Sequence, residues 1–78
     1  MVDVNQKIEL QVGNNIRKIR ESRGMTQDML ATKLQLYGCD ITRSAVAKIE
    51  VGQRHLYPDE IILIRQILNT TFDKILDV

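Results

Sequence analysis

Four residues that tolerate a left-handed backbone punctuate this chain. Gly24, Gly38 and Gly52 each follow a stretch whose apolar residues recur at helical spacing, and Asn69 follows a fourth. Gly and Asn close helix C-termini because they adopt positive φ at little steric cost. The intervals between these stops hold roughly a dozen residues, about the mean length of a helix in a globular protein. A chain divided in this way has room for short helices packed on one another and little else. No segment alternates apolar and polar residues as a half-buried strand does, and the β-branched residues are scattered. The expected fold class is all-α.

Each interval carries an apolar stripe, and most carry a start signal. Val12, Ile16 and Ile19 fall at i, i+4 and i+7, which predicts a first helix from about Gly13 to Arg23. Thr26 reads as the N-cap of a second helix, in which Leu30, Ala31 and Leu34 share a face. A third helix, from about Thr42 to Val51, turns Val46 and Ile49 inward. Pro58 suits the first turn of a fourth, with Asp59 and Glu60 beside its positive dipole end and Ile61, Ile64 and Leu68 as its stripe. Thr71 can cap a short fifth helix carrying Phe72, Ile75 and Leu76. Residues 1–11 admit two readings: Val4, Ile8 and Val12 extend the first helix backwards, or the stretch is a loose N-terminal arm. Residues 12–78 form the domain proper.

Size and composition exclude several functions. At 78 residues there is room for one small domain, of a size that buries only about 60% of its unfolded surface. Cys39 is the single cysteine, so there is no intrachain disulfide framework, and no zinc site, other metal or cofactor is expected. The longest aliphatic run, Ile61-Ile62-Leu63-Ile64, is far short of the roughly 20 residues of a membrane span. No basic n-region followed by an apolar h-region opens the chain. A reduced, cytoplasmic protein without membrane attachment is the expectation. His55 reads as a solvated loop residue and Cys39 lies in a turn without a nearby base, so nothing supports an enzyme. Tyr37 and Tyr57 read as core-edge packing. With no second domain, a small-molecule ligand is not expected either.

The net charge of +1 does not advertise nucleic-acid binding, but its distribution does. Between Gly13 and Leu56 the eight basic residues are Arg17, Lys18, Arg20, Arg23, Lys33, Arg43, Lys48 and Arg54. Only Glu21, Asp28, Asp40 and Glu50 oppose them, a local +4, while the two ends together carry −3. Basic charge therefore sits on the first three helices, as a phosphate-binding face requires. Eight solvated surface cations would produce the same count.

The string Gly13-Asn14-Asn15-Ile16-Arg17-Lys18-Ile19-Arg20-Glu21-Ser22-Arg23-Gly24-Met25-Thr26-Gln27, followed by Leu30-Ala31, is specific in its order. So is Ile41-Thr42-Arg43-Ser44-Ala45-Val46-Ala47-Lys48-Ile49-Glu50-Val51-Gly52-Gln53-Arg54. Together with the five helices, these strings resemble the Cro/repressor-type (Xre-like) helix-turn-helix family over about 65 of the 78 residues. The resemblance implies a compact five-helix, lambda-repressor-like domain with the helix-turn-helix in its second and third helices. Two helices joined steeply need a small turn, and the second must stand proud enough to enter the major groove. Inward Leu30, Ala31, Val46 and Ile49 lock the pair.

The resemblance also implies roles. Arg43 and Ser44 occupy positions where the family touches base edges, and Arg is the commonest reader of guanine. Thr42 either caps the third helix only or also contacts DNA, and Lys48, one turn on, reaches a base or a phosphate. Gln27 corresponds to a family residue that bridges a phosphate and the recognition helix, at a helix N-terminus suited to anions. Asn14, Arg17 and Arg54 are further phosphate candidates, positioning the protein without reading sequence. Arg20 and Glu50 correspond to a structural ion pair.

Three departures stand out. The turn Leu36-Tyr37-Gly38-Cys39-Asp40-Ile41 is longer than in compact phage repressors, Arg65 replaces a small apolar residue, and Thr70 replaces a common Val. Arg65 is expected to snorkel, its stem on the core edge and its head in water. The expected function is sequence-specific double-stranded DNA binding by a small transcriptional repressor. It would act as a homodimer on a near-palindromic operator, self-associating through Phe72, Ile75, Leu76 and Val78. The alternatives are the antitoxin of a toxin–antitoxin operon and a protein-interaction module that retains the fold.

Overall fold

Five helices follow one another in the computed structural model, which describes residues 4–78: α1 (Val4–Ser22), α2 (Gln27–Leu36), α3 (Arg43–Glu50), α4 (Pro58–Leu68) and α5 (Phe72–Ile75). The first three residues of the expected N-terminal segment lie outside the described residues. Every expected stop is a stop. Gly24 N–H donates to the Glu21 carbonyl and Met25 N–H to that of Arg20. The same double closure recurs with Gly38 and Cys39 on Gln35 and Leu34, Gly52 and Gln53 on Ile49 and Lys48, and Asn69 and Thr70 on Gln66 and Arg65. Gly24, Gly38 and Gly52 sit at φ 66, 82 and 73°, and Asn69 at 52°. These are four Schellman closures, each satisfying carbonyls that a helix end would otherwise leave bare. At the other ends, Thr26, Thr42 and Thr71 accept the amides of Met29, Ala45 and Lys74 at 3.0, 3.2 and 3.2 Å.

Of the two readings of residues 1–11, the described part takes the helical one: α1 begins at Val4, and Gly13 lies buried in its interior. The glycine is there because α3 crosses α1 at this point. A Cβ on Gly13 would run into the Ile49 carbonyl oxygen and lie 3.0 Å from backbone atoms of Glu50. Helix–helix contact at this distance is open only to glycine.

The core is built from Ile16 of α1, Leu30 and Leu34 of α2, Val46 of α3, and Ile64 and Leu68 of α4, all at most 2% exposed. Ile41, assigned by its sequence position to a turn, is also 1% exposed and pins that turn to the core. Ile75 of α5 is fully buried, which removes it from the self-association surface expected at the C-terminus. Tyr37 and Tyr57 are 58 and 54% exposed rather than packed at the core edge. Tyr57 instead meets the ring of His55 edge-on at 4.8 Å. Arg65 lays its guanidinium over Phe72, 5.0 Å from the ring centroid, but its Nε is buried without a partner among the described residues. The neighbouring Thr70 Oγ1 is in the same state, so the two departures at α4 and its end carry the unsatisfied polar atoms. No helix among the described residues is long and apolar enough to cross a membrane.

Candidate nucleic-acid interface

α3 is eight residues long and two-sided. Val46, Ile49 and Glu50 face inward, while Arg43, Ser44 and Lys48 are exposed and Ala47 is half-buried. Arg43 with Ala47, and Ser44 with Lys48, stand at i and i+4, so the four make one outward surface. Thr42 is exposed, and its hydroxyl oxygen is engaged as the N-cap. That leaves the hydroxyl proton to donate elsewhere.

A carboxylate behind this surface joins three helices. Glu50, 3% exposed, accepts Arg20 Nε on Oε2 at 2.7 Å and Arg20 Nη2 on Oε1 at 3.0 Å. Gln27 Nε2 donates to the same Oε1 at 3.0 Å. Arg20, 6% exposed, also donates from Nη1 to the Met25 carbonyl at 2.7 Å. The end of α1, the start of α2 and the end of α3 are thereby tied at one point. The hydrogen bonds to Glu50 hold the Arg20 guanidinium above its ordinary value, against the opposing effect of burial.

Beside that knot an open cleft brings together Thr26, Gln27, Asp28, Gly24, Glu21 and Arg43. Gln27 commits one Nε2 hydrogen to Glu50 and keeps the second to donate, at the amide end of α2, where the Thr26 hydroxyl takes Met29 N–H. Asn14, Arg17 and Lys18 are exposed along one face of α1, and Arg17 makes a solvent-exposed 3.5 Å pair with Glu21.

Arg54 sits elsewhere. Its Nη1 and Nη2 meet Glu60 Oε1 and Oε2 at 2.9 and 3.0 Å, and Nη1 also donates to the His55 carbonyl at 2.9 Å. Glu60 completes the junction by accepting Tyr57 N–H at 3.0 Å. Burial alone would raise the Glu60 carboxyl, but Arg54 and the Tyr57 amide outweigh it and hold it below the usual carboxylate range. Arg23 is also committed. Its Nε and Nη2 donate to the Leu68 and Asn69 carbonyls at 2.9 and 3.2 Å, capping α4. Of the eight cations counted between residues 13 and 56, Arg20, Arg23 and Arg54 thus bind the fold to itself. Burial pushes the Cys39 thiol up, with Glu60 and Asp59 adding to the effect, which disfavours the reactive thiolate.

Sequence reasoning did not foresee Glu60 as the partner of Arg54, or Arg23 as a cap. A Glu at the third position of the helix, two residues after Pro58, signals a bond back to the residue before the helix, and this was the available clue to Glu60. Arg23 offers no such local sign, since its carbonyls lie 45 and 46 residues away in the chain.

The sequence profile of the helix-turn-helix family matches residues 16–75. The chain is a Cro/repressor-type helix-turn-helix protein. The match spans α2 and α3, the cleft beside them, and the helices that brace both. No curated protein and no solved structure matches the chain. As a helix-turn-helix protein it belongs to a family of DNA-binding regulators. In this helix-turn-helix unit, Arg43 and Gln27 share one cleft, whereas Arg54 lies at the α3–α4 junction.

Proposed function

We propose that this helix-turn-helix protein binds double-stranded DNA sequence-specifically as a small transcriptional repressor, with α3 in the major groove. The observation that carries the reading is the shared cleft in which exposed Arg43, at the start of α3, stands beside Gln27 at the amide end of α2. Base-edge contact then falls to Arg43 and Ser44, assisted by Thr42, while Lys48, one turn on, reaches the phosphate backbone. Phosphate contact falls to Gln27, Asn14 and Arg17, with Lys18 alongside. Arg54, bound at two points by Glu60, serves the junction behind α3 and leaves the phosphate set.

A reader this small acts as a homodimer on a near-palindromic site, with half-sites about one helical turn apart. The proposed self-association surface keeps exposed Phe72, Leu76 and Val78 and loses Ile75. It gains an adjoining apolar cleft of about 360 Å³, lined by Ile8, Val12, Leu56, Ile61 and Leu76. Sedimentation equilibrium of the full chain should show a concentration-dependent dimer, and a monomer at every concentration would remove this surface.

Selection of bound duplexes from a random library tests the DNA reading directly. The expected product is a short motif repeated with inverted symmetry. Retention of no duplex, even at low salt, overturns the proposal and turns attention to a protein partner.

A further inference from the structure

The connection from α2 to α3 is longer than in compact phage repressors, and one side chain spans it. Gln35, in the last turn of α2, donates from Nε2 to the Ile41 carbonyl at 2.9 Å. The α2 end of the connection is already closed by Gly38 N–H on Gln35 and Cys39 N–H on Leu34. Ile41 N–H turns back onto the Cys39 carbonyl at 2.9 Å, and the Ile41 side chain is buried. Tyr37, Gly38 and Asp40 face solvent between these ties.

The bonded carbonyl occupies a decisive place. It belongs to the peptide that enters Thr42, and Thr42 accepts the first amides of α3, Ala45 on its hydroxyl and Val46 on its carbonyl. Burial of the Ile41 side chain sets how deep the turn sits, but it leaves the following peptide free to rotate about the Cα–C bond of Ile41. The Gln35 amide holds the plane of that peptide. It thereby fixes the direction in which α3 leaves the turn, and the bearing of Arg43 and Ser44 with it.

We infer that Gln35 is a positioning residue: through the Ile41 carbonyl it sets the angle between α2 and α3, and so which base step Arg43 reaches. The inference rests on the DNA reading above. Gln35→Met keeps the length of the unbranched side chain and removes the donor. The variant should lose about tenfold in its preference for the selected site over a scrambled duplex. Its affinity for the scrambled duplex should move less than about twofold, and its thermal midpoint less than about 5 °C. Unchanged discrimination overturns the inference. So does an equal loss on both duplexes with a lowered midpoint, which would make Gln35 a stabilising residue only. Residual dipolar couplings of the DNA-free wild type and variant measure the α2–α3 angle independently. A changed angle is expected and an unchanged one overturns the inference, while a wild type that binds no duplex defeats the DNA reading and leaves this measurement to decide the role of Gln35.

Discussion

Arg20 grips Glu50 at two points across 30 residues of chain, with both side chains almost wholly removed from water. Deleting one partner strands the other as a buried charge. Glu50→Ala should therefore cost about 3–5 kcal/mol, read from urea unfolding. In a domain of this size each kcal/mol shifts the midpoint by roughly 4–8 °C. Glu50→Gln, which keeps the shape and an acceptor, should lose less. A cost of Glu50→Ala under about 1 kcal/mol would place the pair with ordinary surface bridges.

Glu60 gives the fold a dependence on acid. Its carboxyl is held below its ordinary value in the folded state, so its stabilising effect is complete above the unfolded value of about 4.3. The effect disappears as pH falls through the lower, folded value. Wild type should be more stable than Glu60→Gln at neutral pH, and the gap should close on acidification. A gap that stays constant down to about pH 3 would show that the carboxylate charge is not what Arg54 recognises.

Two glycine substitutions separate crowding from backbone conformation. Gly13→Ala gains up to about 1 kcal/mol of helix propensity. It also forces a methyl into the Ile49 carbonyl, and such overpacking costs about 1–3 kcal/mol. Nothing lies within 4 Å of a Cβ on Gly24, where only the positive φ of 66° resists substitution. Thermal melts should rank Gly13→Ala below Gly24→Ala. The reverse order would mean that α1 can move away from α3 at little cost.

Arg43→Ala should lose about 1–3 kcal/mol on the selected site and relax preference at one base pair. Lys48→Ala should weaken all duplexes alike and lower the salt slope by about 1, as loss of a phosphate contact does. Fluorescence titration on matched and mismatched duplexes at several salt concentrations distinguishes the two. Loss of base preference from Lys48→Ala with none from Arg43→Ala would exchange their roles.

The fold was legible wherever the signal was local. Glycine or asparagine at a helix end and threonine before a helix start act within five residues, and each expected boundary of this kind is present. The start of α1 was less legible because the spacing of Val4, Ile8 and Val12 suited a helical extension without excluding a loose arm. Gly13 looked like a boundary, although its small size serves a crossing with a helix more than 30 residues away. Among the candidate site residues, the Arg20–Glu50 bond was legible through the family resemblance. The fates of Arg23 and Arg54 were not, because a count of charges cannot say which guanidiniums turn inward. Ile41 and Gln35 escaped notice for a related reason: an apolar residue in a turn, and a polar one before it, acquire meaning only once the turn is folded.

The four Schellman closures bear on the time course of folding as well as on its end point. Each reversal of the chain is completed by bonds reaching no more than five residues back, so little loop entropy is lost before a helix end is in place. Helical domains dominated by such near-neighbour contacts fold in microseconds to milliseconds. A nascent copy of this protein would accordingly conceal Ile16, Leu30 and Leu68 almost as soon as the last helix is released, leaving its apolar core only briefly exposed to other chains.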